Sequence, residues 1–486
     1  MCKKYGYLAV VVALPFIVFL PALNVGFLCD DYGFSKVFNM SWSDMADYIN
    51  LVQAGDERMQ PFRPLAILTF KMDYLIYGLD PIGFHLSNLL LHSYNSILIW
   101  WLATLLGESR RGATIAALLF GVYPGFSEPV IWISGRFDLL SLTFLLFSII
   151  FWIEGGKTLN GKYKIAATLL FLLGMFCKES IAPSAVIFPV IDLMIFGKRA
   201  EKAAWILPFV MVGIIVFIRI WVFGTFSGDL YLTRSSEPVY SIRMIPQYFS
   251  SMLQNITILF TPVNRRIFDP VSVVYVQIAT SILAIGVVYV SLRSSIVKDK
   301  RLICFVAFAA GWLILMLIPT LTIMPAQDAL TNSRFLYIPV VGIMICIGAV
   351  IDSFTNLKAG ILLIGVACWI GMSTYLLICN NSRWYTAADL AWRVDAVLYD
   401  NTKNMTDCTT VIVVNMPYLR DGVFFAPNTY ENFIEFRDGC HDIRFVYVRK
   451  DVSKIPGWAE SLCESRMRCR IFHWTGNELR YLDGNA

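Results

Sequence analysis

The sequence predicts a polytopic α-helical membrane protein with a small mixed α/β domain at its carboxyl end. The chain has 486 residues, of which 57% are hydrophobic and only 15% are charged, whereas soluble domains carry about 25% charged residues. The apolar residues form repeated long blocks, and this character changes only after residue 379. The net charge of +5 does not indicate a nucleic-acid partner, because the basic residues cluster in short loops between the blocks, where they set orientation.

The first apolar block covers residues 5–28 and is long enough to cross a bilayer core, which takes about 20 residues. Lys3 and Lys4 precede it and predict a cytoplasmic amino end. Phe27 and Leu28 are too large for a small-residue cleavage site. We therefore expect this block to remain as the first membrane helix.

Later blocks raise the expected number of spans to about eleven by the usual length rule. The basic clusters between them all fall on the side of Lys3 and Lys4, which supports the count. The blocks cover residues 85–106, 113–124, 137–152, 165–177, 181–196, 205–223, 272–292, 302–319, 335–351 and 359–379. Residues 1–379 thus form a predicted transmembrane domain with outer loops at 29–84 and 224–270. Within the second loop, residues 245–259 are expected to lie flat on the membrane or dip into it.

Residues 380–486 form the predicted outer domain. Short β-rich runs at 409–415, 442–448 and 470–474 alternate with turns, which is typical of a mixed α/β fold. The domain carries four cysteines, and an outer compartment permits disulfides in any of three pairings, with free thiols as the alternative. These cysteines are Cys408, Cys440, Cys463 and Cys469.

Asp30 and Asp31 follow the first block directly and lie at its predicted outer mouth. Adjacent residues on a helix do not face each other, so the two carboxylates are expected to have different roles. Their mutual repulsion would raise the pKa of one of them, and such a carboxylate suits a general base for a hydroxyl nucleophile. We expect one of the two to act as the base and the other as a positioning group, or as its partner in binding a divalent cation. Metal dependence stays open.

A stripe of polar side chains runs along the second block, at His85, Asn88, His92 and Asn95. Their spacing places them within an arc of roughly 80° and along about 15 Å of helix. Such groups either line a substrate cavity or form hydrogen bonds between helices. The cavity is the favoured interpretation for His85 and Asn88, and both interpretations stay open for His92 and Asn95.

Basic residues lie beside carboxylates in the predicted outer loops. Any one of them alone is most simply a solvated interfacial charge, but their location on one face indicates a site. Arginine and lysine suit a phosphate, and a base beside a phosphate-binding cluster suggests sugar transfer from a lipid-linked phosphosugar. Phosphate leaves readily, so no general acid is required, unlike in glycosidases. The residues concerned are Arg63, Glu128, Arg136, Asp138, Lys178, Glu179 and Arg334.

Several motifs resemble those of integral-membrane glycosyltransferases with the GT-C fold, which use polyprenyl-phosphate sugars. The resemblance is greatest to the protein O-mannosyltransferase and TMTC-like branch, including its bacterial members. Each motif is weak alone, but together and in order they are fairly specific. The matching motifs are residues 27–32, 63–64, 78–92, 123–128, 132–136, 178–179 and 333–339, and residues 413–417 are similar to tails of bacterial members.

The resemblance implies that Asp30 is the catalytic base and Asp31 the second acid of the pair. It also implies that Lys178 and Arg334, and less directly Arg63 and Arg136, hold the lipid phosphate. The full predicted substrate-binding set is Arg63, His85, Asn88, Glu128, Arg136, Lys178, Glu179, Arg334 and Tyr337. Two departures stand out. Tyr123 replaces the histidine usual in the TMTC-like pattern, and no tetratricopeptide repeats follow residue 379, so we expect acceptor recognition to differ from that of the TMTC-like proteins.

The sequence therefore predicts an inverting glycosyltransferase of the cell envelope. It would move a sugar from a polyprenyl-phosphate donor to a hydroxyl of a glycan, lipid or protein, on the outer face of the inner membrane. A transporter or flippase for a lipid-linked sugar is the alternative, but it predicts internal repeats and midplane charges, which the sequence does not show. A structural or sensory membrane protein would leave Asp30 and Asp31 unexplained. The donor sugar and the acceptor stay open.

Overall fold

The computed structural model of the protein describes most of the predicted helical blocks and part of the carboxyl-terminal domain. The predicted block at 272–292 and the cysteines Cys408, Cys440 and Cys463 lie outside the described residues, so the disulfide prediction concerns a part of the chain not described. The described residues are 6–42, 63–223, 245–269, 271, 300–321, 325–353, 359–402, 410–417, 419–425, 444–448 and 469–482.

The described chain is mainly helical, and every predicted block within it coincides with a helix. The same holds for residues 245–259, which form a helix of their own. The α-helices are α1 (Gly6–Phe19), α2 (Ser35–Asn39), α3 (Pro64–Tyr77), α4 (Pro81–Leu105), α5 (Arg110–Gly121), α6 (Ser127–Ile131), α7 (Arg136–Thr158), α8 (Gly161–Cys177), α9 (Ile187–Phe196), α10 (Ile206–Phe223), α11 (Ile245–Phe260), α12 (Lys300–Leu321), α13 (Val340–Ser353) and α14 (Ala359–Thr402).

Six helical segments of the described chain are long and apolar enough to cross a membrane. A seventh arises if α5 and the following segment Pro124–Ile131, bent by 44° relative to each other, form one span. The prediction of a multi-pass helical membrane protein is confirmed. The count of about eleven spans stays a prediction.

Local sequence chemistry explains the break between α3 and α4. Gly78 adopts a φ of +64°, a left-handed conformation that ends α3. Asp80 then caps α4 by accepting a hydrogen bond from the Ile82 amide at 3.0 Å, and Pro81 occupies the first helical position. This sharp corner brings α3 back against α4, so that side chains of both helices reach the same buried region.

Helices α5 and α13 pack with their backbones in close approach. A Cβ atom added to Gly112 would lie 2.9 Å from the Gly348 carbonyl oxygen, and one added to Gly348 would lie 2.6 Å from the Gly112 carbonyl oxygen. Small residues permit such approach between membrane helices. The contact fixes α13 beside α5, with the segment that leads into α13 carrying Arg334 and Tyr337.

The last helix continues past the predicted domain boundary at residue 379. α14 has 44 residues, or about 66 Å at 1.5 Å per residue, far more than the roughly 30 Å of a bilayer core. Hydropathy falls after Cys379, yet the buried side chains still recur at helical spacing. These side chains are Trp384, Ala387, Ala391, Val394 and Leu398. The strand-containing region begins only after this helix.

The carboxyl-terminal region contains a four-stranded sheet and a separate hairpin. The sheet has the order β4-β1-β5-β6, with β4, β1 and β5 parallel and β6 antiparallel to β5. The three β-rich runs predicted from sequence are β1, β4 and β5, so a small strand-containing domain is confirmed. The strands are β1 (Thr410–Val414), β2 (Leu419–Arg420), β3 (Val423–Phe424), β4 (Arg444–Val448), β5 (Cys469–Trp474) and β6 (Leu479–Leu482).

Candidate functional site

The two adjacent carboxylates occupy different environments. Asp30 is exposed, whereas Asp31 is 2% exposed, and both lie in a short 3-10 helix, Cys29–Phe34. Asp31 Oδ2 accepts a hydrogen bond from the Leu28 amide at 3.0 Å, and its Oδ1 accepts from the amide and hydroxyl of Ser134 at 3.0 and 2.7 Å. Asp31 thus ties the chain that leaves α1 to the turn before α7, while Asp30 faces outward.

Burial makes Asp31 an unusually weak acid. It raises the pKa of this carboxyl to about 7, against the opposing effect of the hydrogen bonds from Ser134 and Leu28. The negative charge of Asp30 adds only a smaller increase. The sequence predicted that mutual repulsion would raise the pKa of one acid, and removal from water is the larger effect.

We expect Asp31 to make the stability of the protein depend on pH. The folded protein retains this proton up to about pH 7, whereas the unfolded chain releases it near 3.8. Its contribution to the free energy of unfolding is therefore greatest below about pH 4 and is lost as the pH rises to about 7. Asp31→Asn cannot ionise, so the stability of wild type relative to this variant should fall over that interval. Thermal unfolding in detergent at several pH values measures this, and parallel curves would contradict it.

Arg136 is a buried hub between helices rather than an open anion-binding group. Its Nη1 lies 2.5 Å from Asp73 Oδ2, its Nε donates to Asn88 Oδ1 at 2.8 Å, and its Nη2 donates to the Phe84 carbonyl at 2.7 Å. The guanidinium also lies over the Phe70 ring, 4.6 Å from its centroid. These contacts connect the start of α7 to α3 and α4 and give each of the three guanidinium nitrogens a partner.

The amino-terminal half of the polar stripe on α4, His85 and Asn88, lies beside the segments that surround Asp31. The Asn88 amide nitrogen donates to the carbonyls of Trp132 and Ile133 at 3.0 and 3.3 Å. His85 is fully buried beside the backbone of residues 25–26. Both side chains were predicted to bind substrate, and the structure places both inside the protein: His85 beside the chain that leads to the acids, and Asn88 against the turn before α7.

The carboxyl-terminal half of the stripe, His92 and Asn95, forms a chain of hydrogen bonds between helices. The Asn95 amide donates to the Tyr337 hydroxyl at 3.2 Å, and Tyr337 lies 2.9 Å from His92 Nδ1. His92 Nε2 lies 3.0 Å from the Gly121 carbonyl oxygen, which fixes Nε2 as the protonated nitrogen and Nδ1 as the acceptor. These contacts match the interhelical interpretation of His92 and Asn95. Tyr337, predicted to bind substrate, is buried within the same network.

Lys178 and Arg334 lie on the same aromatic ring. Lys178 Nζ is 4.8 Å and Arg334 Cζ is 4.9 Å from the centroid of Phe335. Lys178 Nζ also donates to Asp138 Oδ1 at 2.6 Å, and Arg334 Nη1 forms an ion pair with Glu128. Two cations, each held by its own carboxylate, therefore meet at one point between α7, the segment after α8, and the segment before α13.

Burial lowers the pKa of Lys178 to about 8. Asp138 opposes this shift, whereas the positive charges of Arg63 and Arg334 add to it. Arg63 and Arg334 are thus both close enough to act on Lys178 electrostatically. The structure brings together three cations that the sequence analysis selected from distant positions.

Glu179, next to Lys178, pairs with Arg63 of this cluster and with one further arginine, Arg219. Arg63 Nε and Nη2 each lie 3.2 Å from its carboxylate oxygens, and Arg219 Nη1 lies 3.8 Å from Oε2. The sequence analysis missed Arg219. A single buried arginine within the apolar helix α10 is itself a signal, because charged residues inside membrane helices face protein and often mark a site.

Arg334 is the most accessible of Arg63, Arg136, Arg219 and Arg334, the four arginines discussed so far. Its side chain is 20% exposed, compared with 1% for Arg136. The guanidinium lies 4.8 Å from the Trp132 ring centroid and 5.3 Å from that of Phe424, which belongs to β3. Sequence reasoning gave neither aromatic residue a role, although Trp132 begins one of the matching motifs.

Two other predictions concern Tyr123 and the metal. Tyr123 is buried and donates its hydroxyl hydrogen bond to the Leu259 carbonyl at 2.6 Å, which attaches α11 to the core. Within the described residues, no group of three or more histidine, cysteine, aspartate or glutamate side chains could hold a metal ion. A divalent cation at Asp30 and Asp31 stays a prediction.

Comparison with known proteins gives curated relatives of one kind. No family model matches the chain. Over 202 residues, or 40% of this chain, it is 30% identical to "Protein O-mannosyl-transferase Tmtc1" of Drosophila melanogaster. Over 158 residues, or 28% of this chain, it is 32% identical to "Protein O-mannosyl-transferase TMTC4" of Homo sapiens. The matches span only 23% and 21% of these relatives. They confirm the resemblance to the TMTC-like branch.

Among solved structures, the chain is similar to ArnT from Cupriavidus metallidurans bound to undecaprenyl phosphate. The TM-score is 0.41 and the identity 14%, over 97% of this chain and 93% of that one. The apo form of the same protein gives a TM-score of 0.40 and 13% identity.

Proposed function

We propose that this chain, a relative of the TMTC O-mannosyltransferases over its matched region, is an inverting GT-C glycosyltransferase. It moves a sugar from a polyprenyl-phosphate donor to a hydroxyl acceptor. One observation carries the proposal: the turn at residues 132–134 contacts both the loop that carries the exposed Asp30 and the cluster of cations. Ser134 of this turn binds Asp31, and Trp132, two residues earlier, contacts Arg334.

In the proposed reaction Asp30 accepts the proton of the acceptor hydroxyl. The hydroxyl oxygen attacks the anomeric carbon, and the bond from that carbon to the phosphate oxygen breaks. The electron pair leaves with the lipid phosphate, and because the hydroxyl attacks the opposite face of the carbon in a single displacement, the configuration at the sugar is inverted. A positioned general base contributes about 10²- to 10⁴-fold to such a step. Asp31, fixed by Leu28 and Ser134, positions the loop that carries Asp30.

The departing phosphate is bound by Arg334 and Lys178 in this proposal, with Arg63 nearby. Arg334 combines a fixed position over aromatic rings with partial exposure, and arginine binds phosphate through directed, charge-assisted hydrogen bonds. Arg136 has a different role, because its donors already bind Asp73, Asn88 and Phe84. We assign Arg136 and Asn88 as supports of the site rather than as ligands of the substrate.

The proposed orientation follows from the basic clusters. The amino end lies in the cytoplasm, and the acid pair, the cation cluster and the carboxyl-terminal domain lie on the outer side of the inner membrane. The polyprenyl chain of the donor then occupies the bilayer beside the helices, while a glycan, a lipid-linked glycan or a protein hydroxyl approaches from the aqueous side.

Arg334→Ala should raise the KM for the lipid donor by about 10- to 100-fold. A charge-assisted hydrogen bond contributes about 1.5–3 kcal/mol, and each 1.4 kcal/mol corresponds to a factor of ten. Arg334→Lys keeps the charge but loses the planar guanidinium, so its KM should be intermediate. Arg265→Ala is the control, because Arg265 forms an exposed ion pair with Asp328. An unchanged donor KM in a folded Arg334→Ala protein would contradict the assignment.

Mass spectrometry of membrane glycans and proteins tests the function in cells. Cells with the protein should carry an added sugar mass that is absent without the protein and absent with Asp30→Asn. Movement of a lipid-linked sugar across the membrane, with no added mass on any acceptor, would instead indicate a flippase.

A further inference from the structure

The hairpin β2–β3 projects from the carboxyl-terminal region onto the membrane domain. Its strands pair Leu419 with Phe424 and Arg420 with Val423, which leaves a two-residue loop of Asp421 and Gly422. Both loop residues have positive φ, +49° and +92°, as the commonest tight hairpin turn requires. The tip therefore has the φ angles of a type I′ turn.

The hairpin tip is fastened to the membrane domain by direct contacts. The Thr331 hydroxyl donates to the Gly422 carbonyl at 2.8 Å, and the Asn264 amide donates to the Asp421 carbonyl at 3.4 Å. A Cβ atom added to Gly422 would lie only 2.3 Å from the Ala329 carbonyl oxygen. This glycine is thus required both by the turn conformation and by the close approach to another backbone.

Docking of the tip brings Phe424 to the cation cluster. Its ring stacks on Trp132, with centroids 5.0 Å apart and planes inclined by 23°, and the Arg334 guanidinium lies 5.3 Å from its centroid. Phe424 is 8% exposed. One side of the Arg334 guanidinium is therefore in contact with the carboxyl-terminal region and not with the membrane helices.

Trp132 of this aromatic stack also contacts the loop that carries Asp30 and Asp31. The Trp132 indole N–H donates to the Leu28 carbonyl at 3.2 Å, and the Leu28 amide donates to Asp31. Phe424 thus packs on the residue that connects Arg334 with the Asp31 loop. Removal of the ring would take away the stacking partner of Trp132 and one aromatic contact of the Arg334 guanidinium.

We propose that Phe424 is a positioning residue for donor binding, through which the carboxyl-terminal hairpin becomes part of the site. This rests on the proposed function. Stacking restricts the guanidinium of Arg334 to one arrangement before the lipid phosphate arrives, so less side-chain freedom is lost on binding. Phe424 acts on Arg334 and does not itself touch the reacting atoms.

The test compares two substitutions at this position, one that removes the aromatic ring and one that keeps it. Phe424→Leu keeps the apolar packing but removes the ring, and Phe424→Tyr keeps the ring. Cation–π contacts of this kind correspond to about a 3- to 30-fold change in affinity. We therefore expect Phe424→Leu to weaken binding of polyprenyl phosphate and raise the donor KM by that factor, with little change in kcat. Phe424→Tyr should keep both the affinity for polyprenyl phosphate and the donor KM at their wild-type values. Binding of the matching polyprenol, which lacks the phosphate, should be the same in all three proteins.

A pair of glycine variants separates docking of the hairpin from general damage to the tail. Gly422 and Gly476 both have positive φ, +92° and +98°, but a Cβ atom on Gly476 would meet nothing within 4 Å. Both alanine variants therefore carry similar backbone strain, and only Gly422→Ala collides with the membrane domain. Gly422→Ala should weaken polyprenyl phosphate binding as Phe424→Leu does, and Gly476→Ala should not.

The outcomes distinguish this inference from the proposed function. Wild-type affinity and donor KM in Phe424→Leu, or equal loss in Phe424→Leu and Phe424→Tyr, would overturn the inference while sugar transfer continued. Binding of polyprenyl phosphate that depends on Phe424, in a protein that transfers no sugar, would support the inference and overturn the proposed function.

Discussion

Asp30→Asn should lower kcat for sugar transfer by about 10²- to 10⁴-fold, the usual contribution of a positioned general base. The amide has nearly the same shape but cannot accept the acceptor's proton. Because Asp30 is exposed, the fold and the affinity for polyprenyl phosphate should be unchanged. The measurement is steady-state transfer by purified protein in proteoliposomes, together with binding of the lipid phosphate.

The matched control is Asp328→Asn, which removes an exposed carboxylate paired with Arg265. It should transfer at the wild-type rate. Near wild-type transfer by Asp30→Asn would contradict the assignment of the base. Loss of transfer confined to a folded Asp31→Asn would exchange the roles of the two acids and leave the cation cluster as assigned.

Arg136→Met should destabilise the protein by about 3–5 kcal/mol, the cost of leaving a buried charge without its partner. Asp73 would lose its ion pair, and Asn88 and Phe84 would lose donors. Denaturant titration in mixed micelles measures this. The double variant Arg136→Met with Asp73→Leu should regain much of the loss, because an apolar pair of similar volume often replaces a buried ion pair without penalty.

The same variant separates a structural arginine from a phosphate-binding one. Among molecules that remain folded, Arg136→Met should keep the wild-type affinity for polyprenyl phosphate, unlike Arg334→Ala. Wild-type stability combined with weakened lipid phosphate binding would show that Arg136 binds the donor, as the sequence resemblance implied.

The helical blocks and three strands were predictable because each depends on the local pattern of apolar residues. Two further local signals were present but not used. Asp421-Gly422 is a strong hairpin signal between short apolar runs, and the buried positions from Trp384 to Leu398 keep a helical period past residue 379. Both features lie after the last long apolar block, so hydropathy alone does not indicate them.

The site was predictable in its residue types but not in the role of each residue. Arg136 and Arg334 look alike in sequence, since each follows a serine-containing turn and precedes a phenylalanine. Their roles differ because Arg136 meets Asp73 on α3, whereas Arg334 remains partly exposed beside Phe424. Such partners come from distant parts of the chain, and no spacing rule within a single element indicates them.

The division of Asp30 and Asp31 into different roles is a case in which local geometry was informative. Adjacent residues on a helical turn point in different directions, and the structure places one inside and one outside. The sequence could not supply Ser134, which binds Asp31 across more than a hundred residues. Burial, and not the neighbouring charge, is the main cause of the raised pKa of Asp31, and the hydrogen bonds from Ser134 oppose it.

Transfer of labelled sugar by the purified protein tests the central claim most directly. Proteoliposomes would contain polyprenyl phosphate carrying a radiolabelled sugar, with membrane glycan and protein extracts as acceptors. Wild type should release free polyprenyl phosphate and place the label on an acceptor with inverted anomeric configuration, and Asp30→Asn should do neither. Label that stays on the lipid with every acceptor, while the lipid crosses between leaflets, would contradict the claim.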